Sequence, residues 1–591
     1  MAGCPPRPRT ERPEDTGFTR QEMTRWLSPA QLAGTGLRVL LSGIFGTYAD
    51  KREFQEGRPS SHCDLSAGSE LWFDYVSDLG DGFNPTYALA TLLAEEKLDL
   101  SARPGRDGSD TSGVPTERGS LLVMGGDQVY PAADIDRYRN RMIGPYRAAL
   151  PYTASDHPTI LALPGNHDWY DGLTAFTRVF CQGNWIGGWQ TTQRRSYFAA
   201  ALPHRWWLLG IDIQFDTYID EPQLEYFRDV IGPKLQPGDS VILCSAKPNW
   251  VAANEDQPDA YDTLDYFQRT AIEPTGAEVR LNLTGDTHHY ARYQETSGDA
   301  QMITAGGGGA FLSAAHHLPE HLLLPPPRSP HTGRRTRPPA SFDLQTSYPT
   351  RAESRRIARG VVTLPRKNPS FVALIAVVYV LYAWTIQSGL RQPTQSFSSV
   401  MAGLSVTGVA AGMARSPLAL VVTGLLVLGL AGFTKAASRS KKWALGTLHA
   451  LAHLVTVVLV IRAVSQVLDG IHGLPYLAGY LVLVGAAGGL LGSLVMAAYL
   501  FLADELADCN ANELFAAQRI EDWKNFLRLH IDGDGTLTVY PVKVHRVPRK
   551  WKLRTGGKDD DPWFEAAAGG PPRPVLIEAP IRVRPATAPP P

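Results

Sequence analysis

The run TILALPGNHD, Thr159–Asp168, changes from apolar to polar residues at one glycine. Its first half is short and apolar, which is typical of a buried strand, and Asn166, His167 and Asp168 come directly after Gly165. Other short apolar runs in the first half of the chain also end in small or acidic residues. They are LRVLLSG (37–43), LWFDYVSD (71–78), SLLVMGGD (120–127), WWLLGID (206–212), SVILCSAKP (240–248) and RLNLTGD (280–286).

These runs alternate with helical stretches such as NPTYALATLLAEEKL (84–98), so the sequence predicts a layered α/β fold. In open α/β sheets, ligands bind at the carboxyl ends of the strands. Two further strand ends, GGDQVY (125–130) and TGDTHHY (284–290), also place an acid or a histidine after glycine, where the backbone can turn tightly. Carboxylate, amide oxygen and imidazole together are typical ligands of a divalent or trivalent metal ion.

The motifs GDQVY, GNHD and GDTH, in this order, resemble those of the calcineurin-like metallophosphoesterase superfamily. The tyrosine of GDQVY is closer to the purple acid phosphatase branch, whose first motif, DxG, is similar to Asp78 and Gly80 in SDLGDG. The resemblance covers roughly residues 70–310. It implies an αββα-type sandwich that hydrolyses a phosphomonoester or phosphodiester with two metal ions, drawn from Mn, Fe, Mg or Zn.

The resemblance implies a set of metal ligands in this chain. They are Asp78, Asp127, Tyr130, Asn166, Asp286 and His288. Asp127 would bind the first ion with Asp78, Tyr130 and His288, and it would bridge to a second ion at Asn166.

The resemblance also implies two catalytic residues that bind no metal. His167 would face the substrate phosphate or protonate the leaving oxygen, and Asp168 would assist it.

Two departures from the family pattern affect the second ion. Ala246 occupies the position of the family's isolated histidine, and Asp286 stands at the first histidine of the GHxH motif. One imidazole is lost and another is replaced by a carboxylate, which favours Mn²⁺, Mg²⁺ or Fe over Zn²⁺.

The first motif has competing assignments. Asp81 is a rival of Asp78, and LLSGIFG (40–46) is similar to the superfamily's first motif with Gly43 and Phe45 in place of its Asp and His. We favour Asp78 because SDLGDG retains a carboxylate. The run GGGG (306–309) is either a close backbone approach near the site or a flexible turn.

Four long apolar stretches follow Pro369 and approach or exceed the roughly 20 residues of a membrane-spanning helix. They are residues 371–386, 418–433, 443–461 and 476–502. Arginine and lysine are dense in RAESRRIARGVVTLPRKN (351–368) and in TKAASRSKK (434–442), so the positive-inside rule predicts four spans in the cell membrane with the α/β domain facing the cytoplasm. Five scattered cysteines without metal-binding spacing agree with a reducing compartment.

Composition shifts predict the domain boundaries. Residues 1–30 are a disordered extension, 31–317 the α/β domain, 318–368 a linker, 369–503 the transmembrane region, 504–554 a cytoplasmic segment, and 555–591 a disordered tail. The net charge of −1 gives no indication of nucleic-acid binding, and nothing in the sequence specifies an oligomeric state.

Two functions follow from this sequence. The first is a membrane-anchored metal-dependent phosphoesterase, with a phosphate ester as substrate and the lipid bilayer as its other partner. The second is a binding or sensing module that kept the fold but lost turnover, which Ala246 and Gly43 would favour.

Overall fold

The computed structural model of the chain describes residues 13–34, 62–100, 113–154, 157–213, 219–255, 257–326, 339–390, 397–401, 405–436 and 438–586. The chain divides into two compact units. The first comprises Met1–Thr24, Leu41–Ser354 and Ile520–Pro591, and the second comprises Arg25–Leu40 and Arg355–Arg519. The first unit contains mixed α/β sheets and the second is helical, as the α/β and all-α predictions required.

The short apolar runs of the sequence form strands. In the described part of the first unit, the strands lie in two nine-stranded sheets and two hairpins. In chain order the strands are β1 (Cys63–Asp64), β2 (Leu71–Val76), β3 (Lys97–Leu100), β4 (Val114–Glu117), β5 (Leu121–Met124), β6 (Thr159–Ala162), β7 (Trp185–Ile186), β8 (Trp189–Thr191), β9 (Phe198–Ala201), β10 (Trp206–Ile211), β11 (Ser240–Ser245), β12 (Glu278–Thr284), β13 (Tyr290–Glu295), β14 (Gln301–Ala305), β15 (His321–Leu324), β16 (Ala340–Tyr348), β17 (Lys524–Ile531), β18 (Leu537–Val544), β19 (Trp551–Leu553), β20 (Phe564–Ala566), β21 (Pro574–Leu576) and β22 (Ile581–Val583). Six of the seven predicted strands are confirmed, and the seventh, residues 37–43, lies outside the described residues.

Parallel strands form the centre of both large sheets. One sheet has the order β1-β9-β10-β11-β12-β14-β13-β16-β15, and β10, β11, β12 and β14 are parallel. The other has the order β21-β18-β17-β2-β5-β6-β8-β7, with β22 also paired to β18, and β2, β5, β6 and β8 are parallel. The carboxyl ends of neighbouring parallel strands therefore meet at one edge of each sheet.

Helices and buried clusters complete the first unit. One cluster packs helical residues such as Tyr87 against Met124 of β5. Another contains side chains from both large sheets, among them Tyr75, Leu208 and Leu283. The helices are α1 (Phe83–Ala94), α2 (Ile135–Tyr138), α3 (Gly144–Ala149), α4 (Asn166–Trp169), α5 (Thr174–Phe180), α6 (Glu221–Glu225), α7 (Asn249–Glu255) and α8 (Asp262–Phe267). Single π-helical turns occupy Arg139–Ile143, Tyr226–Ile231 and Gln268–Ile272, and 3₁₀ turns occupy Pro13–Thr16, Pro203–Arg205, Gly232–Lys234, Pro258–Tyr261 and Glu273–Thr275.

All four predicted apolar stretches are helical. From Arg351 onward the helices are α9 (Arg351–Ala358), α10 (Leu364–Lys367), α11 (Pro369–Ser388), α12 (Phe397–Met401), α13 (Val406–Arg415), α14 (Pro417–Phe433), α15 (Arg439–Val467), α16 (Gly473–Ala507) and α17 (Ala511–Gln518), with a 3₁₀ turn at Arg359–Thr363. Within the described ranges, α11, α15 and α16 are each long and apolar enough to cross a membrane. The pair α13 and α14 adds a fourth span only if both count as one, because they are bent by 94°. The bend falls where Ser416 precedes Pro417, a position that disfavours helical backbone.

Several segments predicted to lie outside the α/β domain contain strands or buried residues. The supposed linker 318–368 contains β15 and β16, which pair with each other, and β16 also pairs with β13. The segment 504–554 contains β17 and β18, and the supposedly disordered tail contains β20, β21 and β22. In the N-terminal extension, Phe18 and Met23 are buried. These elements could not be recognised from local composition, because the strands with which they pair lie far away in sequence. For example, β17 pairs with β2.

Candidate metal centre

Three aspartates of the predicted site have left-handed backbone conformations just after strand ends. The φ angle is 61° at Asp78, 51° at Asp127 and 65° at Asp286, and these residues follow β2, β5 and β12. This conformation costs a non-glycine residue about 1–2 kcal/mol, and such strain concentrates at functional sites. The backbone N–H of Asp286 donates to both carboxylate oxygens of Asp78, at 3.1 and 3.0 Å, so the two large sheets meet at these strand ends.

The hydroxyl of Tyr130 lies at the point where three other predicted ligands converge. It is 3.1 Å from Asp78 Oδ1, 3.2 Å from Asp127 Oδ2 and 3.0 Å from His288 Nε2. Tyr130 is fully buried, and its phenol has only one proton to donate. The four side chains predicted to bind the first metal ion therefore place their donor atoms around a single point.

The electrostatics of this cluster favour a bound cation. Burial raises the pKa of Asp78 well above its usual range, and the neighbouring Asp127 raises it further. Burial and the nearby Asp286 raise the pKa of Asp127 to about 8. Burial lowers the pKa of His288 well below its usual range, so its imidazole is neutral and can act as a ligand. A cation would relieve the repulsion among these acids, and the donor set of carboxylates, phenol and imidazole fits a divalent or trivalent ion.

Asn166 and His167 lie at the amino end of α4, beside Asp127. Among the residues that the structure describes, the buried Asn166 Oδ1 atom has no hydrogen-bond partner, which suits an oxygen that can bind a metal ion. The His167 backbone N–H donates to Asp127 Oδ1 at 2.9 Å. The His167 Nδ1 lies 2.8 Å from the Pro131 carbonyl oxygen, which can only accept, so Nδ1 carries a proton.

Asp168 makes its hydrogen bonds away from the His167 ring. Its fully buried carboxylate accepts from the backbone N–H of Gly165 at 2.9 Å, from the N–H of Gln128 at 3.3 Å and from the Tyr138 hydroxyl. Asp168 thus ties the loop after β6 to the loop after β5. This arrangement fits a residue that fixes the geometry of the site better than one that exchanges protons with substrate.

Three glycines permit the carboxylates to approach the backbone closely. A Cβ on Gly165 would lie 2.1 Å from Asp127 Oδ1, and a Cβ on Gly285 would lie 2.4 Å from Asp78 Oδ2. A Cβ on Gly306, the first residue of the GGGG run, would lie 2.8 Å from the same Asp78 oxygen. Of the two alternatives for that run, the structure shows the close approach.

Fewer donors lie at the position predicted for a second metal ion. Ala246 is buried at the end of β11, and a Cβ on Gly126 would lie 2.9 Å from its methyl group. The Ala246 carbonyl accepts from the Gly285 N–H at 3.0 Å, which places Ala246 beside the strand end that carries Asp286. Ala246 thus lies close to Gly126 and Gly285, and its side chain supplies only a methyl group.

The rival assignments of the first motif differ in their surroundings. Asp81 is buried, but its carboxylate accepts from the Thr24 backbone N–H at 2.9 Å, whereas Asp78 contacts Tyr130. The other rival, LLSGIFG (40–46), lies outside the described residues.

The sequence motifs did not indicate several side chains that support the site. The Ser77 hydroxyl donates to Asp78 Oδ2 at 2.7 Å, and Tyr138 binds Asp168. Ser77 comes directly before the first motif, so a contact between Ser77 and the site could have been predicted from its position in the sequence. Tyr138 lies eight residues after the GDQVY motif, in a helical segment whose pattern shows no sign of the contact.

The comparisons with known proteins add little. The sequence matches no protein-family model and no curated protein. Among solved structures, a purple acid phosphatase, PPD1, isolated from yellow lupin (Lupinus luteus) seeds, is similar over 44% of this chain and 47% of its own, with 12% sequence identity and a TM-score of 0.29. The chain thus matches about half the length of that phosphatase, and a likeness this weak carries no argument about function.

Proposed function

We propose that the chain is a membrane-anchored phosphoesterase that hydrolyses a phosphomonoester or a phosphodiester with two metal ions. The observation that carries this proposal is the convergence of Asp78, Asp127 and His288 on the Tyr130 hydroxyl, in a buried cluster of acids. Two bound metal ions would supply an activated water and stabilise charge on the phosphoryl group.

The residues of the chain would divide this work. Asp78, Asp127, Tyr130 and His288 would hold the first ion, and Asp127 would reach the second, which Asn166 and Asp286 complete.

The catalytic residues would act beside these ligands. His167 holds its Nδ1 proton against the Pro131 carbonyl, which leaves Nε2 to exchange a proton with the leaving oxygen. Asp168 would keep both loops in place through its contacts with Gly165 and Gln128.

The αββα fold of the first unit and the membrane location of the chain are also part of this proposal. The buried cluster shared by both large sheets supports an αββα layering of the first unit. Leu425, Leu448 and Val482 on α14, α15 and α16 are 63%, 63% and 68% exposed, which suits side chains that face lipid. The basic residues at 351–368 and 434–442 support four spans with the first unit on the cytoplasmic side.

The alternative is a phosphoesterase fold that binds or senses without turnover. The observation that favours it is Ala246, which removes one ligand from the second metal position. In that case the first ion, or none, would bind, and no ester would be hydrolysed.

Replacing Ala246 by histidine should strengthen the second metal position. An imidazole there would add a donor beside Asp286, so we expect the second Mn²⁺ ion to bind at least ~10-fold more tightly than in the native chain, an effect of the size seen when ligand geometry is changed. Titration of the purified full chain with Mn²⁺ measures this. The control is Ala246→Leu, which fills space without a donor atom. Equal second-site affinity in Ala246→His and Ala246→Leu would contradict the assignment of this position.

The proposal is tested by a panel of esters. The purified full chain should hydrolyse p-nitrophenyl phosphate or bis(p-nitrophenyl) phosphate in Mn²⁺, Fe, Mg²⁺ or Zn²⁺ faster than it hydrolyses pyrophosphate, an anhydride, and the preferred ester identifies the class of substrate. Asp127→Asn, which removes the proposed bridging carboxylate, should abolish the activity. Retained activity in Asp127→Asn would show that the reaction occurs elsewhere.

A further inference from the structure

The segment Gly306–Leu312, which we call the glycine loop, forms one wall of the candidate metal centre. The Gly308 N–H donates to the Ser77 carbonyl at 2.9 Å, and the Ala310 N–H donates to the Asp78 carbonyl at 2.8 Å. The Phe311 ring meets the His288 imidazole edge to face, with centroids 4.6 Å apart. The glycine loop therefore contacts both the backbone that carries Asp78 and the imidazole of His288.

Residues of the first unit that follow the apolar helices in sequence also bind the glycine loop. The Asn525 N–H donates to the Gly307 carbonyl at 3.1 Å, and the Gly307 N–H donates to Asn525 Oδ1 at 3.3 Å. The Leu312 N–H donates to the Ile520 carbonyl at 3.2 Å. Between these contacts, the Lys524 ammonium donates to the Ala310 carbonyl.

Lys524 is an unusual residue to find at this place. Its side chain is fully buried at the start of β17, although burying an ammonium group is costly unless the surroundings stabilise its charge. Burial lowers the pKa of Lys524 to about 8, while Asp522 and Asp81 act to raise it, so most of the lysine stays protonated at neutral pH. Ala310, whose carbonyl accepts from Lys524, binds the Asp78 backbone through its own N–H.

We propose that Lys524 is a positioning residue of the candidate metal centre, which holds the glycine loop against Asp78 and His288. The inference rests on the proposed function, because it assumes that these two residues bind a metal ion. Lys524 touches neither metal nor substrate in this role. It acts through Ala310 and the glycine loop, much as residues that hydrogen-bond to metal ligands orient those ligands in other metal sites. Lys524, which follows the apolar helices in sequence, would therefore be needed for the metal site that contains Asp78 and His288.

The test compares Lys524→Met with Arg528→Met in the purified full chain. Both residues are fully buried on β17, but Arg528 binds Asp74 and the Leu92 carbonyl instead of the glycine loop. We expect Lys524→Met to raise the Kd for Mn²⁺ about 10- to 100-fold, the range found when residues that support metal ligands are replaced. Arg528→Met should lower the midpoint of thermal unfolding but leave the Kd for Mn²⁺ within about twofold, because its contacts lie away from the metal ligands. Free Mn²⁺, measured by electron paramagnetic resonance, gives the Kd.

Each outcome of this test supports or overturns the inference. An unchanged Kd in Lys524→Met overturns it, and so does an equal loss of affinity in both variants, which would indicate general destabilisation. If Lys524→Met does not fold, Asn525→Ala decides instead, because it removes only the bond between Asn525 Oδ1 and the Gly307 N–H. Its Kd should rise in the same direction, and an unchanged Kd overturns the inference. A native chain that binds none of Mn²⁺, Fe, Mg²⁺ and Zn²⁺ refutes the proposed function itself, and if one of the other ions binds instead of Mn²⁺, the same comparison is made with that ion.

Discussion

Replacing Asp78 by asparagine should reduce metal-dependent hydrolysis of phosphate esters at least ~100-fold, the order expected when a group that stabilises the reacting charges is lost. Asp78 contacts Tyr130 and the Asp286 N–H, and its backbone conformation is strained. An asparagine amide keeps the shape of the side chain but removes the negative charge that would hold a cation. The measurement is the hydrolysis rate of the full chain at saturating Mn²⁺.

Asp81→Asn is the matched control for this prediction. Asp81 is also buried and lies three residues further along the chain, but its Oδ1 accepts from the Thr24 N–H, and an asparagine oxygen can accept the same bond. Burial raises the pKa of Asp81, so loss of its charge should not destabilise the protein. Because Asp81 also helps to keep Lys524 charged, we expect a loss of activity about 10-fold smaller than that of Asp78→Asn, with an unchanged midpoint of thermal unfolding. Comparable losses of activity in both variants would contradict the assignment of Asp78.

Removing Arg528 should have the largest effect on stability. Its guanidinium is fully buried and donates to Asp74 Oδ1 at 2.8 Å, which joins β17 to β2. Arg528→Met would leave the Asp74 carboxylate buried with the Gly119 N–H at 3.0 Å as its remaining hydrogen bond. Breaking a buried ion pair in this way costs about 3–5 kcal/mol. The midpoint of thermal unfolding of the first unit, followed in the full chain, should fall accordingly.

The double variant Asp74→Asn with Arg528→Met separates the contribution of the ion pair to stability from the contribution of side-chain packing. Without the unpaired carboxylate, most of the lost stability should return, because replacing both charges removes the desolvation penalty. If the double variant is as unstable as Arg528→Met alone, the loss came from packing and not from the unpaired charge.

Structural features that depend on neighbouring residues could be predicted from the sequence, whereas features that depend on distant residues could not. The strand ends at Asp78, Asp127 and Asp286 were predictable, because a short apolar run followed by glycine and an acid is a local pattern. The same patterns predicted the apolar helices, although the break at Ser416 changes how many spans they make. These features depend on neighbours within a few residues.

Distant pairings were not predictable from the same patterns. In sequence, the whole apolar region separates β17 from its partner β2. Arg528 likewise binds Asp74, which lies 454 residues earlier in the chain. Strands of three residues such as β21 and β22 are too short to show an alternating pattern, and the proline-rich composition around them suggested disorder. The roles of Lys524 and Asp168 depend on such tertiary contacts, so they became visible only in the structure.

The hydrolysis rate of the purified full chain, measured after removal of metal and again after its return, shows whether the reaction depends on metal. A chelator should abolish hydrolysis of the preferred phosphate ester, and addition of Mn²⁺ should restore it in the native chain but not in Asp127→Asn. Hydrolysis that persists through chelation, or that does not appear with any of Mn²⁺, Fe, Mg²⁺ and Zn²⁺, would contradict a metal-dependent phosphoesterase.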